Sequence, residues 1–405
     1  MKQIDIIGAG ISGMATAYFL NKSLGNSVKI RVWEKDPYLG GLAGTFKNKD
    51  YTVEKFYHHI FRRDTALLDL IQEIGLGADI VWRPAVTGSY YFNQPYRLSS
   101  PLDLLRFRPL PFLSRIRLGM MVLHARTVKD WTNLDDTTVK DYILKYGGEK
   151  AYEIVWKPLL EGKFGAYSDN ISAAWLWSKL ADRGSSRNST GFELFAYLKG
   201  GLGRVFQGIR EELQTDFVVG AVHTPELAAL LPDVALAYKN KLSKIDYLAN
   251  VCLVLTLNKS LSQFYWTNVT DTSTPFVGII EQTKWVENTE YNQKHIVYIS
   301  AYITADDKRL TMSSQDLLTY YTPYIQKIFP DFNLSIVEDS TVWTAPYAQP
   351  IVHKGYRHSI PEIQTPIPNL FCCTMAQIYP NDRQVSNGVE MANKTAHTLI
   401  KQMRS

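Results

Sequence analysis

The sequence is poor in cysteine and lacks long apolar runs. Its 405 residues include three cysteines, Cys252, Cys372 and Cys373, which stand inside apolar runs without the spacing of a metal site or a disulfide framework. No apolar run reaches the roughly 18 residues that a transmembrane helix requires. The first predicted strand begins almost at Met1, so we expect no signal peptide. These absences argue against a disulfide-stapled scaffold, and we expect a protein of the reducing cytoplasm.

Neither sign of charge dominates the sequence. It contains 44 lysines and arginines against 39 acidic residues, which gives a net charge of +5. This excess is far below that of a nucleic-acid-binding domain, so we predict no nucleic-acid partner. A P-loop, a Ser-His-Asp pattern, an EF-hand and zinc-ligand spacing are all absent from the sequence, and we predict no metal site. Aromatic residues make up 12% of the chain, which suits either a large apolar ligand or a bulky core.

A glycine turn near the N terminus is the most informative motif that is present. Gly8, Gly10 and Gly13 have GxGxxG spacing, follow an apolar run at 4–7, and open a helical pattern at 12–20. In such a strand-turn-helix unit the glycines allow a tight turn, a close approach of the backbone to a pyrophosphate, and close packing of helix on strand. The amides at the helix N terminus then favour phosphate. The motif therefore predicts a dinucleotide site.

Two further features extend this site. A second apolar run at 28–32 ends before Glu34, which follows Gly13 by 21 residues, near the spacing of an acid that binds a ribose hydroxyl. Gly40 and Gly41 form a doublet just beyond this acid. Because glycine lets a backbone come close to a ligand, we interpret the doublet as a second loop against the same cofactor.

The order of predicted elements indicates one domain interrupted twice. Residues 98–195 are mostly helical in pattern, and strand patterns at 251–257 and 296–303 predict an antiparallel sheet. Strand patterns at 216–221 and 370–374 belong to the nucleotide-binding parts. We predict an α/β fold: a doubly wound, Rossmann-like cofactor domain with an inserted α+β substrate domain. The predicted segments are cofactor-binding 1–97, helical insertion 98–195, cofactor-binding 196–245, antiparallel-sheet substrate domain 246–345, and cofactor-binding 346–405.

The glycine turn, Glu34 and the glycine doublet together resemble the FAD-dependent superfamily of amine oxidases, phytoene desaturases and protoporphyrinogen oxidases. The resemblance extends along the chain: the segments 54–61, 347–350 and 375–383 are similar to signatures of a bacterial protoporphyrinogen oxidase-like subgroup. It implies an FAD cofactor and a set of cofactor-binding residues. These are Gly8, Gly10, Ile11, Ser12, Gly13, Glu34, Lys35, Gly40, Gly41, Leu42, Ala43, His58, Met375, Asp382, Gly388 and Val389.

The resemblance also places candidate residues beside the flavin ring. His58 is either a catalytic acid or base or a side chain that packs under the ring, and its neighbour His59 is expected to pack. Tyr347 and Tyr379 either flank the ring as substrate contacts or are core aromatics.

Two charged neighbours near the C terminus have equally open roles. Asp382 and Arg383 either form an ion pair with each other or hold a phosphate or a substrate carboxylate. We assign Asp382 to the cofactor and Arg383 to the substrate.

Three departures from the superfamily stand out. Leu42 occupies the place of its usual arginine after the doublet, and Met375 that of an acid that contacts a phosphate. The segment around Gln214, which normally lines the adenine end of FAD, is shorter than in the superfamily.

The resemblance implies an FAD-dependent oxidoreductase that oxidises or desaturates a largely apolar small molecule, with hydride transfer to flavin N5. The segment 58–61 is also similar to UDP-galactopyranose mutase, so an enzyme that rearranges a nucleotide sugar without net redox change is the alternative. A binding protein that has lost FAD is a third possibility, suggested by the short segment near Gln214.

Five arginines, namely Arg106, Arg108, Arg115, Arg117 and Arg126, stand among leucine, phenylalanine and methionine residues. Such a basic amphipathic region is typical of a surface that rests on anionic lipid, of a site for an acidic substrate, or of the solvated face of a packed helix. The first interpretation predicts peripheral contact with the inner face of a membrane through residues 106–126.

Overall fold

The fold is described from a computed structural model of the chain, which covers residues 2–91, 93–185, 193–213, 221–231, 236–367 and 369–404. The strands are β1 (Lys2–Ile7), β2 (Val28–Trp33), β3 (Thr45–Asn48), β4 (Tyr51–Glu54), β5 (Ile80–Ala85), β6 (Thr87–Tyr91), β7 (Gln94–Arg97), β8 (Glu193–Leu198), β9 (Tyr247–Leu257), β10 (Trp266–Val269), β11 (Gly278–Glu281), β12 (His295–Ile303) and β13 (Val337–Pro350). The α-helices are α1 (Ile11–Leu24), α2 (Thr65–Glu73), α3 (Pro101–Arg106), α4 (Phe112–Thr127), α5 (Thr132–Asp135), α6 (Val139–Tyr146), α7 (Glu149–Ala151), α8 (Lys157–Phe164), α9 (Ala173–Ser185), α10 (Gly203–Leu213), α11 (Thr224–Leu230), α12 (Leu236–Ser243), α13 (Ser314–Ile328) and α14 (Val385–Arg404).

The N-terminal unit is a parallel pair of strands joined by a helix. β1 and β2 pair in parallel, with Ile4 opposite Ile30, and α1 connects them. Small residues such as Ala15 and Ala17 are fully buried on α1, so the helix lies close to its neighbours. The final helix, α14, packs against α1 at Gly388, where an added Cβ would lie 2.7 Å from Cγ2 of Ile11. The first and last segments of the chain therefore form one unit.

A seven-stranded sheet forms the second part, in the order β13-β9-β12-β11-β10-β6-β7. Strand β9, which lies between β13 and β12, is buried on both faces, and its side chains alternate between two cores as the period of a strand requires. Leu253 and Leu255 face the core that α13 covers with Leu317 and Ile325, whereas Val254 joins the core on the opposite face. The sheet is antiparallel except that β6 and β10 run in parallel.

The region between β7 and β8 is helical and contains α3 to α9. Two of these helices begin at side-chain caps: Ser100 accepts a hydrogen bond from the amide of Asp103, and Thr138 from that of Asp141. Within the described residues no helix is both long and apolar enough to cross a bilayer.

The predicted fold class, a Rossmann-like cofactor domain with an inserted α+β domain, is confirmed. The strand predicted at 370–374 is wrong, because Phe371 makes only one bridge, to Gln364. Thr374 instead accepts a hydrogen bond from the amide of Ala376 and donates its own amide to the side chain of Gln377. These local bonds use groups that a strand would give to its neighbour. The strand at 216–221 and the short segment at Gln214 lie outside the described residues, apart from Ala221. The domain boundaries stay predictions.

Candidate functional site

A cavity of about 1130 Å³ lies between the N-terminal unit and the seven-stranded sheet. The glycine turn at 8–12 and the loop at 34–43 form one wall, and residues 342–348 of β13 form another. The volume slightly exceeds the range of about 300–1,000 Å³ that is typical of small-molecule sites. The two segments that the sequence predicted to approach a dinucleotide, the glycine turn and the glycine doublet, therefore share one cavity.

At Gly8 and Gly40 the conformation of the backbone itself favours glycine. Gly8 has φ of +96° and Gly40 has φ of +106°, in the left-handed region that favours glycine. The amide of Gly40 donates to the carbonyl of Ala9 at 2.8 Å, which brings the doublet against the first turn. A Cβ at Gly40 would lie 2.7 Å from the Cα of Gly44, so a larger residue cannot fit there without a backbone shift.

Gly10 differs, because nothing among the residues that the structure describes requires a glycine at this position. Its φ of −71° and ψ of 178° are extended backbone that any residue adopts, and no atom lies within 4 Å of a Cβ built there. The missing side chain leaves space at the cavity wall, beside the N terminus of α1, whose first amides have no partner within the helix. This open position fits an incoming phosphate group, and the glycine turn thus suits the diphosphate of FAD.

Glu34 holds the turn as well as lining the cavity. Its Oε2 accepts the amide of Ala9 at 2.5 Å, and its Oε1 accepts that of Asp36 at 3.1 Å. The carboxylate at the end of β2 is therefore oriented by the backbone on both sides. Carboxylate oxygens have further lone pairs to accept from a ribose hydroxyl, as the sequence predicted.

Lys55 is a cation in the same cavity that the sequence analysis missed. Its residue is only 9% exposed, and its Nζ lies 4.9 Å from the ring centre of Tyr38 and 4.8 Å from that of Trp343. Within the described parts of the chain it forms no ion pair. Burial lowers the pKa of Lys55, although the nearby charges of Asp36 and Glu34 act in the opposite direction.

His58 faces the cavity as a neutral imidazole. Its Nδ1 lies 2.8 Å from the carbonyl of Phe56, and because a carbonyl only accepts, Nδ1 carries the proton and Nε2 is the acceptor. Burial, together with the charge of Arg383, lowers the pKa of His58 to about 4. Behind it, burial raises the pKa of Glu54 to about 7, and its Oε2 lies 3.8 Å from Nδ1 of His58 without a hydrogen-bond partner. His58 is therefore poised as a hydrogen-bond acceptor.

His59 is placed differently from its neighbour. Its ring stacks on Phe195, with centres 4.3 Å apart, and its Nδ1 lies 3.2 Å from the hydroxyl of Tyr265. The ring belongs to the aromatic core under β9, consistent with the expected packing role.

Arg383 and Asp382 do not pair with each other. Arg383 lines the cavity, where its Nε donates to Gln349 at 2.9 Å and its Nη2 donates to the hydroxyl of Tyr302 at 2.7 Å. Asp382 lies outside the cavity and accepts from Lys163, 3.2 Å away, and from Lys179. Burial alone would raise the pKa of Asp382, but these cations hold it well below its usual range.

The two candidate tyrosines separate in the same way. Tyr347 lines the cavity and packs near His223, with ring centres 5.7 Å apart. Tyr379 lies in the core of the helical region, where its hydroxyl bonds to Asp135 and lies 2.5 Å from Oγ of Ser172. The structure thus leaves Tyr347 accessible to a ligand and gives Tyr379 a set of internal partners.

The remaining predicted cofactor residues fall into two groups. The cavity is lined by Gly8, Gly10, Ile11, Ser12, Glu34, Lys35, Gly40, Gly41, Leu42, Ala43 and Met375. Gly13, Gly388 and Val389 are instead buried in the packing of α1 and α14. At the rim, Lys35 donates to Glu226 at 2.9 Å, and Glu226 also bonds to His223. The hydrogen bond from His223, more than that from Lys35, lowers the pKa of Glu226 to about 2. The assignments of these residues to a ligand stay predictions.

The chain is similar to a known protein family and to curated relatives. The family model for flavin-containing amine oxidoreductases matches residues 11–224, more than half of the chain. Coproporphyrinogen III oxidase of Staphylococcus aureus (strain NCTC 8325 / PS 47) is 29% identical over 184 residues, which span 42% of this chain and 38% of that protein. The matched region is thus less than half the length of this curated relative.

Solved structures share the whole fold. A crystal structure of a protein from Exiguobacterium sp. 255-15 superposes with a TM-score of 0.76 at 17% identity, covering 99% of both chains. Reduced UDP-galactopyranose mutase superposes with a TM-score of 0.73 at 13% identity, covering 98% of this chain and 94% of that one. At such identities the likeness concerns the fold alone.

The predictions of superfamily, enzyme class and FAD cofactor are confirmed at the level of the family. The match covers the glycine turn from Ile11, Glu34, the glycine doublet and His58, which are the features that build the cavity. The chain therefore belongs to the family of flavin-containing amine oxidoreductases, which are FAD-dependent oxidoreductases.

Proposed function

We propose that the protein oxidises or desaturates a largely apolar small molecule while FAD occupies the cavity. The observation that carries the proposal is the open position at Gly10, which the protein leaves empty at the wall of a large cavity without an internal reason. The wall opposite the glycine turn includes the apolar side chains of Val342, Ala345 and Ala348. A substrate with an apolar body would be stabilised on entering this space, because its apolar surface leaves water.

Each part of the cavity has its own task in this proposal. The glycine turn and the N terminus of α1 hold the diphosphate, and Glu34 accepts from the ribose. When bound, the flavin supplies the hydride acceptor at N5. The protein then has to align the reacting C–H or N–H bond and exclude water, which the half-buried aromatic residues Trp343 and Tyr347 support.

His58 acts as a hydrogen-bond acceptor toward the substrate. Because Nδ1 is held by the Phe56 carbonyl, Nε2 is the atom that can accept a proton or a hydrogen bond from a ligand. A pKa of about 4 keeps the ring neutral at neutral pH, so His58 orients a donor of the substrate more readily than it removes a proton.

Arg383 suits an acidic group on the same substrate. Its guanidinium lines the cavity near His58, and its hydrogen-bond partners Gln349 and Tyr302 are uncharged, so the positive charge is not neutralised by them. A carboxylate is the group that a guanidinium recognises best. The name of the staphylococcal relative suggests a porphyrinogen, an apolar ring with carboxylates, as the first substrate to test.

The test is anaerobic mixing of the FAD-loaded protein with coproporphyrinogen III, then with other apolar acids. Bleaching of the flavin is the expected result, and porphyrin fluorescence should follow when oxygen is admitted, because full oxidation of a porphyrinogen releases more electrons than one flavin accepts. The variant R383Q should raise KM with a smaller effect on kcat, whereas H58Q should lower kcat. The proposed reaction is wrong if the protein binds FAD but no apolar acid reduces the flavin.

A UDP-galactopyranose mutase-like reaction on a nucleotide sugar is the second candidate, favoured by the sequence of the segment 58–61, of which His58 lines the cavity, and by the shared fold. It predicts activity only after the flavin has been reduced, with no net consumption of reductant. Substrate-dependent bleaching of oxidised flavin would exclude it.

We also propose that the protein makes peripheral contact with a membrane through the region 106–126. An enzyme for an apolar substrate gains from working where that substrate partitions.

A further inference from the structure

The outer face of α4 is apolar. Its buried face is formed by Leu118, Met121 and Ala125, as expected for a helix that packs on a core. On the opposite side, large apolar side chains are exposed: Phe112 59%, Leu113 78%, Ile116 40%, Met120 61% and Leu123 59%. At about 100° per residue these five fall within an arc of about 100°, centred opposite the buried face. We name these five residues the apolar stripe.

Helix α3 extends the stripe. Leu102 and Leu105 are 51% and 44% exposed, and Arg115 of α4 donates to the carbonyl of Leu105 at 2.7 Å, which ties the two helices together. Single exposed apolar residues are common on soluble proteins, but a contiguous set on one helix face marks an interaction surface. The stripe therefore needs a partner.

The charges that flank the stripe along the sequence are positive. From Leu104 to Lys129 the chain contains no acidic residue, and the preceding Asp103 already accepts from Arg97 and Ser99. Arg115 and Arg117 are used within the fold, because both donate to backbone carbonyls. Arg106, Arg108 and Arg126 are exposed, and in the part of the chain that the structure describes they form no ion pair. Of the five arginines that the sequence singled out, three are thus available to a partner.

We propose that the apolar stripe docks on the surface of an anionic lipid bilayer, with α4 lying in the plane of the interface. A helix with an apolar face and basic flanks is suited to this position, because the apolar side chains enter the acyl boundary while the arginines meet lipid phosphates. A second copy of the chain is disfavoured as the occupant, because its exposed arginines would lie against the exposed arginines of the first copy. This inference specifies the peripheral contact proposed above, and it does not depend on the flavin reaction.

The test is co-sedimentation of the full chain with vesicles of phosphatidylcholine alone or mixed with phosphatidylglycerol. The wild type should bind the mixed vesicles, and less so at high salt. L113E/M120E should weaken binding by about tenfold or more, and R106Q/R108Q should weaken it on mixed vesicles only. L334E is the matched control, because Leu334 is 48% exposed outside this region, and it should bind like the wild type.

Circular dichroism and FAD content of each variant separate loss of binding from loss of fold or cofactor. The proposal is overturned if the wild type does not bind the mixed vesicles or if L113E/M120E binds as well as the wild type. Concentration-dependent dimers that L113E/M120E abolishes would assign the stripe to a second copy instead.

Lys55 carries a second, independent inference about the cavity. A buried ammonium between two aromatic rings is costly unless it meets an anion, and the described residues offer it no carboxylate within ion-pair distance. Its two aromatic neighbours, Tyr38 and Trp343, also line the cavity. Leu42, on the same wall, brings no charge. We infer that Lys55 supplies the positive charge for the diphosphate of FAD in this chain.

The variant K55M tests this role, because methionine keeps the volume and the apolar contacts but removes the charge. We expect apo K55M to be at least as stable as the wild type, and its FAD affinity to fall by about tenfold to hundredfold. The double variant L42R/K55M, which returns a cation to the same cavity, should regain part of this loss. K22M is the control, because Lys22 is already paired with Glu73 and does not line the cavity.

Two outcomes would overturn the assignment. One is an FAD affinity of K55M within about threefold of the wild type, below the effect of losing a charged hydrogen bond. The other is a K55M protein whose apo form is less stable than that of the wild type and whose FAD binding depends on salt as strongly as that of the wild type. That pattern belongs to a structural lysine.

Discussion

A side chain at Gly10 should weaken or abolish FAD binding, according to its size, and leave the folded protein intact. The backbone at Gly10, with φ of −71°, accepts any residue, and no atom lies within 4 Å of an added Cβ. Gly10 is also the N-cap of α1, so alanine there costs at most about 1 kcal/mol in stability. In the loaded protein the same carbon enters space that the diphosphate needs, and overpacking of this kind costs about 1 to 3 kcal/mol. G10A should therefore weaken FAD about tenfold to hundredfold, and G10V, with two more methyl groups, should bind none.

Gly40 provides the contrast. Its φ of +106° and the 2.7 Å approach of an added Cβ to the Cα of Gly44 make any side chain costly before a ligand arrives. G40A should lower the free energy of unfolding of the apoprotein by about 3 kcal/mol. The assays are titration of apoprotein with FAD by flavin fluorescence and chemical denaturation without FAD. The reasoning is refuted if G10A binds FAD like the wild type, or if G10A loses as much stability as G40A.

Three further predictions concern buried ionisable groups. The pKa of His58 falls from 6.5 in the unfolded chain to about 4 in the folded protein. The contribution of neutral His58 to folding stability is therefore complete above pH 6.5 and is lost as the pH falls toward 4. H58Q should remove up to about 3 kcal/mol of this acid sensitivity, as measured in denaturation curves. The pKa of Glu54 rises from 4.5 to about 7, so it weakens folding as the pH rises through that interval; E54Q, which can still accept from an amide, should be more stable than the wild type at about pH 8 by up to about 3 kcal/mol, and equal stability there would contradict the assignment. D382N should lower the free energy of unfolding by about 3 kcal/mol, because it leaves two partly buried lysines without their carboxylate, and a change below about 1 kcal/mol would show that this ion pair matters little.

Local sequence pattern predicted which segments meet at one wall of the cavity. The glycine turn, Glu34 and the doublet are each defined by residues close together in the chain, and strand-turn-helix geometry dictates what they do. The structure brings these three features to one cavity wall. The sequence could not distinguish Gly40, where an added Cβ would clash with the protein, from Gly10, where it would not, because that distinction depends on what surrounds each Cβ.

Local sequence pattern could not predict contacts between distant segments of the chain. Asp382 was expected to pair with its neighbour Arg383 or to bind a ligand, but it meets Lys163, 219 residues away. The sequence left Tyr379 as either a ring-flanking residue or a core aromatic, and its hydroxyl donates to Asp135, 244 residues away. The sequence did not indicate a role for Lys55, because the rings of Tyr38 and Trp343 that surround it come from separate parts of the chain. Such long-range packing decides whether a polar residue faces a ligand or an internal partner.

The central claim is that this cavity holds FAD through the glycine turn. The most direct test is titration of the purified apoprotein with FAD, followed by visible absorbance and flavin fluorescence, with the apo G10V variant measured alongside. The account predicts saturable uptake of a single equivalent by the wild type, with a perturbed flavin spectrum, and no uptake by a folded G10V. Failure of the wild type to bind FAD, or equal uptake by G10V, would contradict it.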